Sequence, residues 1–225
     1  MGKIEQSILF LGKSSDSHTE KALRFCKDNF ASVDSHLGRF GHGRLPEDIG
    51  WWKGDYIISY LSPWVVSAGL LSRASKAAIN FHPASPDYPG IGCNNFALYD
   101  NVNEYGATCH HMASQVDTGN IVAVKRFKVF QTDTVSSILS RTYDHQLSLF
   151  YDVMSNIINK EELPASNEKW TRKPFTRKEL NELAKITPDM TKDEIERRIR
   201  ATAFDAWMPA IEIHGFTFEL KMKKD

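Results

Sequence analysis

Cysteine is scarce in this chain, and its distribution excludes two kinds of site. The 225 residues contain three cysteines, Cys26, Cys93 and Cys109, and no CxxC pair. An odd number of scattered cysteines provides neither a disulfide framework nor a zinc ligand set. We therefore expect free thiols, a reducing compartment and no metal site.

The chain also lacks a net charge and long apolar runs. Lys plus Arg and Asp plus Glu both number 28, so the chain has no excess of positive charge to attract a nucleic acid. No stretch approaches the roughly 18 consecutive apolar residues of a membrane helix. Residues 1–5 show no secretory pattern. We expect a cytoplasmic protein with neither nucleic-acid nor membrane partners.

The chain also lacks the glycine motifs of nucleotide-binding proteins. Residues 36–46 are rich in Gly and His, but the GxGxxG and P-loop spacings are both missing. Glycines without those spacings are more typical of a surface loop than of a phosphate site. We interpret this segment as a mobile loop.

Strand and helix signals alternate over the first 160 residues. Short apolar runs that end at Gly or Pro indicate buried strands, and apolar residues at helical spacing indicate helices. The predicted strands are 8–11, 56–61, 77–81, 108–112 and 121–124, and the predicted helices are 65–75, 134–158 and one that opens with a capping box at 17–20 and carries Leu23, Cys26 and Phe30. This alternation predicts a doubly wound α/β sheet.

The composition changes after about residue 160. Capping boxes at 176–179 and 191–194 predict two helix starts, and residues 210–220 alternate around a two-residue turn, which predicts a β-hairpin. We therefore divide the chain into a catalytic α/β domain, residues 1–160, and a small extension of helices and a hairpin, residues 161–225. The hairpin has two apolar-faced strands with little to cover them, so we expect a homodimer.

Polar side chains follow two of the predicted strands. Asn80 and His82 lie two residues apart at a strand end, so their side chains point to the same face. Asp117 lies in a loop after another strand, and ligands in open α/β sheets bind beyond the carboxyl ends of strands. Taken singly, a histidine before proline or an aspartate in a turn is more often structural. Together they predict one pocket in which His82 and Asp117 lie close enough to interact.

These residues, in this order, resemble the folate-dependent formyltransferases. The resemblance rests on NFHP at 80–83, GATCH at 106–110 and DTG at 117–119, and it covers about residues 1–160. It implies a Rossmann-like domain that transfers a formyl group from N10-formyltetrahydrofolate to an amine. The chain departs from the family in the loop after His82. Ala84 replaces the usual Ser, the loop is about one residue short, and Pro89 stands where Arg is common.

The resemblance implies a role for each residue of the triplet. Asn80 would donate to the tetrahedral oxyanion, and His82 would move the proton of the attacking amine or donate to that oxygen. Asp117 would orient the imidazole and favour its charged form. His110 would lie beside the site as a structural partner, and His111 would be exposed. A metal at His82 and His110 has no evident third ligand.

The resemblance also places the folate. The pterin would lie against the segment 60–66 and the loop 113–117, largely through backbone contacts. The predicted folate-binding residues are Tyr60, Leu61, Pro63 and Val65.

The end of the chain favours one class of acceptor. WTRK at 170–173 and IRATAF at 199–204 resemble the sugar N-formyltransferases, which implies a nucleotide-linked 3- or 4-amino deoxysugar, such as dTDP-4-amino-4,6-dideoxyglucose, for a surface polysaccharide. Only 65 residues follow Lys160, too few for the barrel domain of the methionyl-tRNA formyltransferases. Glycinamide ribonucleotide is the first alternative acceptor, and methionyl-tRNA is the second. A formyl hydrolase and a non-catalytic nucleotide-sugar or folate-binding module are alternative functions.

A basic and aromatic segment, residues 169–178, is the candidate acceptor site. Arg and Lys side chains would hold a diphosphate, and an aromatic ring would stack on a base. A solvated basic face is the competing interpretation. The predicted acceptor-binding residues are Trp170, Arg172, Lys173 and Arg177. Trp207 either lines a base pocket or packs in the core, and we favour the core.

Overall fold

A computed structural model describes residues 2–41, 43–205 and 207–221. It contains a six-stranded main sheet and a three-stranded small sheet, with helices around them. In chain order the elements are β1 Ile4–Lys13, α1 Ser17–Asn29, β2 Phe30–Gly38, a 3₁₀ helix Glu47–Trp51, β3 Gly54–Tyr60, α2 Ala68–Leu71, β4 Ala74–His82, α3 Cys93–Tyr99, β5 Glu104–His111, β6 Ile121–Lys128, α4 Val135–Ile158, α5 Arg177–Leu183, β7 Lys185–Ile186, α6 Lys192–Thr202, β8 Ala210–Ile213 and β9 Phe216–Glu219.

The main sheet has the order β2-β1-β3-β4-β5-β6. The first four strands are parallel, and β5 and β6 continue the sheet antiparallel. The chain moves outward from β1 to β2 and then crosses back to β3, which makes a switch point between the carboxyl ends of β1 and β3. β4 ends at the same edge, one strand further along. The predicted Rossmann-like α/β fold class is confirmed.

The central strands are apolar on both faces because helices cover both sides of a parallel sheet. Phe10, Ile58 and Phe81 belong to the core that packs under α1 and α4. Leu11 and Ile57, which point to the opposite face, belong to a smaller core with Val66 and Leu70 and others. The period of two along each strand therefore sorts the side chains into two separate cores.

Aromatic packing holds α4 to the sheet. Phe150 is fully buried, and its ring centroid lies 5.6 Å from that of Tyr60 and 5.1 Å from that of Phe81. Phe25 of α1 also packs on Phe150. Their ring centroids lie 5.8 Å apart, and the two rings are nearly perpendicular. Edge-to-face contacts of this kind stabilise beyond their buried area.

Several predicted boundaries were wrong. Helix α1 is capped by Asp16, whose Oδ1 accepts from the Thr19 N–H at 2.9 Å, and Ser17 does not cap it. Phe30 starts β2, an edge strand that was not predicted because polar residues interrupt its apolar pattern. That strand includes residues 36–38 of the predicted loop. The predicted helix 65–75 is reduced to one turn, α2. The short elements α3 and β7 were not predicted.

The predicted elements of the C-terminal region are confirmed. α5 begins with a reciprocal capping box between Thr176 and Glu179, and Thr191 caps α6. The hairpin of β8 and β9 turns at His214 and Gly215, which have φ angles of 50° and 80°. Positive φ at both turn residues is typical of the type I′ turns that match strand twist. β7 adds a third strand beside β8.

The extension after residue 160 shares a hydrophobic core with the preceding domain. Phe175 stacks on Phe96 of α3 with ring centroids 3.6 Å apart. The Asn95 side chain donates to the carbonyl of Ala201 at 2.7 Å. Trp207 packs against the same cluster, as favoured from the sequence. The two predicted domains are thus joined by side-chain contacts as well as by the chain.

Within the described ranges, none of the helices combines the length and the apolarity of a membrane span.

We expect Phe150→Ala to destabilise the protein by about 3–5 kcal/mol, because it leaves a cavity between α4 and the sheet. Phe40→Ala is the control, since Phe40 is 64% exposed and its truncation should change stability by less than about 0.5 kcal/mol. Urea unfolding monitored by circular dichroism measures both. Equal effects of the two substitutions would contradict the packing described above.

Candidate active site

The site is built where β4 and β5 meet at the carboxyl edge of the sheet. The two strands run antiparallel with Asn80 directly opposite His110, and directly opposed side chains point to the same face. His82 follows on that face two residues later. β5 then leads into the turn that carries Asp117. The strand register therefore brings Asn80, His82 and His110 to one face, and the turn adds Asp117 to them.

Asp117 is the centre of this group. Its carboxylate is 4% exposed and lies 3.4 Å from His82 Nδ1 through Oδ2 and 3.3 Å from His110 Nε2 through Oδ1. The backbone N–H of Gly90 also donates to Oδ2, at 2.8 Å. Burial would raise the pKa of Asp117, but the two imidazoles and this N–H outweigh it and lower the pKa to about 2. Asp117 is therefore a buried anion.

Glycines allow the segments around Asp117 to approach closely. Asp117 itself has a φ of 49°, a left-handed conformation that is uncommon for residues other than glycine. A Cβ at Gly119 would lie 1.8 Å from the carbonyl oxygen of His111. A Cβ at Gly90 would lie 2.4 Å from the carbonyl oxygen of Phe175. The DTG sequence thus reflects the packing of its turn.

His82 is held at both ring nitrogens. Nδ1 faces Asp117, and Nε2 lies 3.0 Å from the backbone carbonyl oxygen of Tyr88. A carbonyl oxygen only accepts, so Nε2 carries a proton. Burial lowers the pKa of His82, but the charge of Asp117, with contacts from Cys93 and the Tyr88 carbonyl, raises it to about 9. His82 is therefore an imidazolium near neutral pH.

His110 links Asn80 to Asp117. Its Nδ1–H donates to the carbonyl of His111 at 2.8 Å, and its Nε2 lies 3.1 Å from the Asn80 amide nitrogen. The same Nε2 lies 3.3 Å from Asp117 Oδ1. The Asn80 amide has two N–H groups and at most one can face His110, so one is left for a ligand. His111 is only partly buried, and burial beside His110 lowers its pKa.

The four predicted folate-binding residues differ in how accessible their side chains are. Tyr60 is fully buried and packs on Phe150, on the face of the sheet opposite to His82, so only its backbone can contact a pterin. Leu61 is buried and has a φ of 50°. Pro63 is partly exposed, and Val65 is 70% exposed. The segment follows β3, the strand next to β4.

The four predicted acceptor-binding residues do not lie together. Trp170 lies on the triplet, with its ring centroid 5.0 Å from that of His110 and 5.9 Å from that of His82. Arg172 lies with its guanidinium 3.2 Å above the Phe175 ring, beside a groove between α3, α5 and α6. Lys173 and Arg177 are exposed and are not among the residues that line this groove.

Two contacts to the site could not be predicted from the sequence. The Tyr88 carbonyl that binds His82 and the indole of Trp170 both come from irregular segments, which have no periodicity to show where they lie. Phe175, the second aromatic residue of the segment 169–178, is buried between aromatic side chains. The described residues contain no cluster of three or more metal-ligating side chains.

Comparison with known families identifies the class of this site. Residues 51–154, which include the whole triplet, match the formyl transferase family. The predicted resemblance to the formyltransferases is therefore confirmed over the segment that carries the triplet.

Individual relatives divide between two acceptors. The chain is 27% identical over 158 residues to the GDP-perosamine N-formyltransferase of Brucella melitensis, a match that covers 70% of this chain and 60% of the relative. It is 27% identical over 106 residues to the phosphoribosylglycinamide formyltransferase of Haemophilus influenzae, which covers 43% of this chain and 50% of the relative. The chain thus spans about half to three fifths of these relatives' length.

Solved structures agree on the fold over nearly the whole chain. A likely sugar N-formyltransferase from Mycobacterium tuberculosis superposes with a TM-score of 0.77 at 18% identity, covering 96% of this chain and 97% of that one. An N-formyltransferase from Helicobacter canadensis, in complex with folinic acid and dTDP-3-aminofucose, gives a TM-score of 0.71 at 22% identity, covering 93% and 84%. The helix-and-hairpin extension is part of the shared fold.

The His82–Asp117 pair predicts a pH dependence of stability. Since the pKa of His82 rises on folding from 6.5 to about 9, its contribution is complete below about pH 6.5 and is lost as the pH rises through 9. Since the pKa of Asp117 falls from 3.8 to about 2, its contribution is present above about pH 3.8 and is lost below.

We expect urea midpoints to fall between pH 6 and pH 9.5 in the unmodified protein and to fall less in His82→Gln. His214→Gln, in the exposed hairpin turn, is the control and should keep the full dependence. If His82→Gln shows the same fall as the unmodified protein, His82 is not the titrating group.

Proposed function

We propose that the protein transfers a formyl group from N10-formyltetrahydrofolate to the amine of a nucleotide-linked amino deoxysugar. The observation that carries this proposal is the cluster of Asn80, His82 and Asp117 around a buried carboxylate, with the donors of Asn80 and His82 on the same face of β4. Such donors suit an oxyanion better than they suit a metal or a hydride.

The reaction follows from these donors. The acceptor amine attacks the formyl carbon, a C–N bond forms, and the formyl oxygen becomes an oxyanion. The free N–H of Asn80 and the Nε2–H of His82 stabilise it, and one such donor contributes up to about 4 kcal/mol. The oxyanion then collapses to a carbonyl, the bond between the formyl carbon and the folate N10 breaks, and His82 protonates the departing nitrogen as general acid. Once neutral, it accepts the proton that the amine loses.

His82 exchanges its partner during this reaction. Its Nε2–H donates to the Tyr88 carbonyl in the structure, so a substrate oxygen must replace that carbonyl. The replacement is one hydrogen bond for another, and it leaves the contact with Asp117 intact. The charged ring favoured by Asp117 is the form that has a proton to donate.

The N-terminus of α1 argues against a phosphomonoester acceptor. In doubly wound sheets a phosphate binds at the helix that follows the first strand. Here Asp16 occupies that position, since its carboxylate accepts from the backbone and hydroxyl of Thr19 and lies 3.5 Å from Lys13. A phosphate would meet this carboxylate, which disfavours glycinamide ribonucleotide.

The nucleotide of a sugar acceptor has a candidate position in the groove between α3, α5 and α6. The groove has a volume of about 580 Å³, and the stacked rings of Phe96 and Phe175 lie along it. Its charged lining consists of three cations and three carboxylates, namely Arg172, Lys178, Arg198, Asp100, Glu179 and Glu182. Lys173 and Arg177 belong to the same basic segment. Two of the relatives support a sugar acceptor. The Brucella enzyme is named for GDP-perosamine, and the Helicobacter structure is a complex with dTDP-3-aminofucose.

The proposed transfer is tested by mixing the protein with N10-formyltetrahydrofolate and an amino sugar. We expect formyl transfer to a dTDP- or GDP-linked amino deoxysugar and little release of formate without an amine. A thermal-shift screen of dTDP, GDP, UDP and glycinamide ribonucleotide identifies the acceptor class, because a ligand at 100 times its Kd stabilises by about 2.7 kcal/mol. Stabilisation by glycinamide ribonucleotide alone would exclude the sugar, and formate release without amine would indicate a hydrolase.

Asn80→Ala should lower kcat by roughly 10²–10³ and leave folate binding nearly unchanged, because it removes an oxyanion donor. Asn120→Ala is the control, an exposed asparagine in the loop between β5 and β6. Steady-state kinetics and fluorescence titration with folate measure the two effects. Equal losses in kcat and in folate affinity would assign a binding role to Asn80.

We also propose that the protein is a homodimer formed through its hairpin. Ile213, Phe216 and Phe218 share one face of the hairpin and are 40%, 69% and 55% exposed. Phe216→Ser with Phe218→Ser should therefore give a monomer in light scattering. Glu212→Gln with Thr217→Ala, on the opposite face, should stay dimeric. A monomeric unmodified protein would exclude this interface without affecting the chemistry.

A further inference from the structure

The extension contributes one aromatic side chain directly to the triplet. The Nε1–H of Trp170 donates to the carbonyl of Gly119 at 2.8 Å, within the turn that carries Asp117. The indole stands nearly perpendicular to His110, at 87°, and to His82, at 68°. Trp170 thus contacts the turn and both imidazoles at once.

The backbone on either side of Trp170 is anchored near two segments, the turn that carries Asp117 and the loop that contains Gly90. We call residues 166–175 the strap. Its Ser166 N–H donates to the carbonyl of Ile121 at 3.0 Å, just after the Asp117 turn. Its Phe175 N–H donates to the carbonyl of Pro89 at 2.9 Å, in the loop that supplies the Gly90 contact to Asp117. The strap therefore crosses the site with Trp170 between its two anchors.

Charged contacts reinforce the strap. Arg126 of β6 forms a hydrogen bond with Glu168 of the strap and lies 3.4 Å from Asp87 in the loop after His82. One guanidinium therefore ties the strap to that loop beside the triplet. This framework sets the direction of the Trp170 side chain.

The Asp117 turn needs such a support. A left-handed aspartate persists only where its surroundings hold it, and the Asp117 φ of 49° is of this kind. The indole bond holds the carbonyl of Gly119, two residues further along the same turn. Without it the turn can relax, and the carboxylate moves relative to His82 and His110.

Resting on the proposed formyl transfer, we propose that Trp170 is a positioning residue of this site, which fixes the Asp117 turn through its indole N–H and orients the two histidines through its ring. This role differs from the base-stacking role expected from the sequence. The indole N–H is already bonded to Gly119, and its ring lies against His110 and His82. An acceptor base would have to compete with these contacts.

The titration of His82 reports on this positioning. The titratable groups around His82 are Asp117 and Cys93, with His110 on the far side of Asp117. Asp117 is the one that holds the imidazole in its charged form, so a displaced turn should lower the pKa of His82 from about 9 toward its ordinary 6.5. A base-stacking residue would leave this titration unchanged.

The test compares Trp170→Phe with Trp52→Phe. Both substitutions keep an aromatic ring and remove one indole N–H bond, since Trp52 Nε1 donates to Asp34 at 2.9 Å, far along the sheet edge from the triplet. NMR titration of the eight histidines, with His82→Gln to identify its signal, gives the His82 pKa in each variant. We expect the pKa to fall in Trp170→Phe and to stay in Trp52→Phe. Trp170→Leu, which removes the ring as well, should lower it further.

Kinetics provide the second measurement. Trp170→Phe should lower kcat by roughly tenfold to a hundredfold with little change in the KM of the acceptor, as expected for misplacement of catalytic groups. A raised acceptor KM with unchanged kcat and unchanged His82 titration would overturn the proposal in favour of base stacking. If no formyl transfer is found at all, the titration still decides whether Trp170 positions the Asp117 turn.

Discussion

The buried carboxylate of Asp117 is the constraint on which the site depends. A charge removed from water must be compensated by partners with good geometry, or it destabilises the fold. Asp117 finds three partners, from β4, from β5 and from the loop that contains Gly90. The same carboxylate therefore positions His82, determines its protonation and joins three segments that are distant in the sequence.

The antiparallel strand β5 makes this arrangement possible. Because β5 runs antiparallel to β4, Thr108 lies opposite His82, and His110 lies opposite Asn80 on the same face. The chain then turns back after His111, and in this turn Asp117 contacts His82 and His110 before β6 begins at Ile121. The register of one strand pair thus decides which side chains meet.

The sequence was sufficient to predict that Asn80 and His82 share a face, because this follows from the period of two along a strand. The place of Asp117 beside them was expected from the resemblance, since it lies in a loop after the strand. The sequence was not sufficient for Trp170, Tyr88 and Gly90, because these come from irregular segments whose position depends on tertiary contacts. Strand β2 was missed for a related reason, since its exposed edge position tolerates polar residues. The most reliable predictions concerned α4 and the hairpin, where the periodicity is long or the turn residues are distinctive.

The strap connects the extension to the triplet. Phe175 packs into a core with α3, its backbone bonds to the loop beside Asp117, and Trp170 lies on the histidines. A change in the extension can therefore reach the triplet without any contact with substrate. Because Arg172 stacks on Phe175 at the edge of the groove, a ligand that binds there would act on the same chain of contacts. The six residues of the strap from Trp170 to Phe175 thus connect the groove to the two histidines.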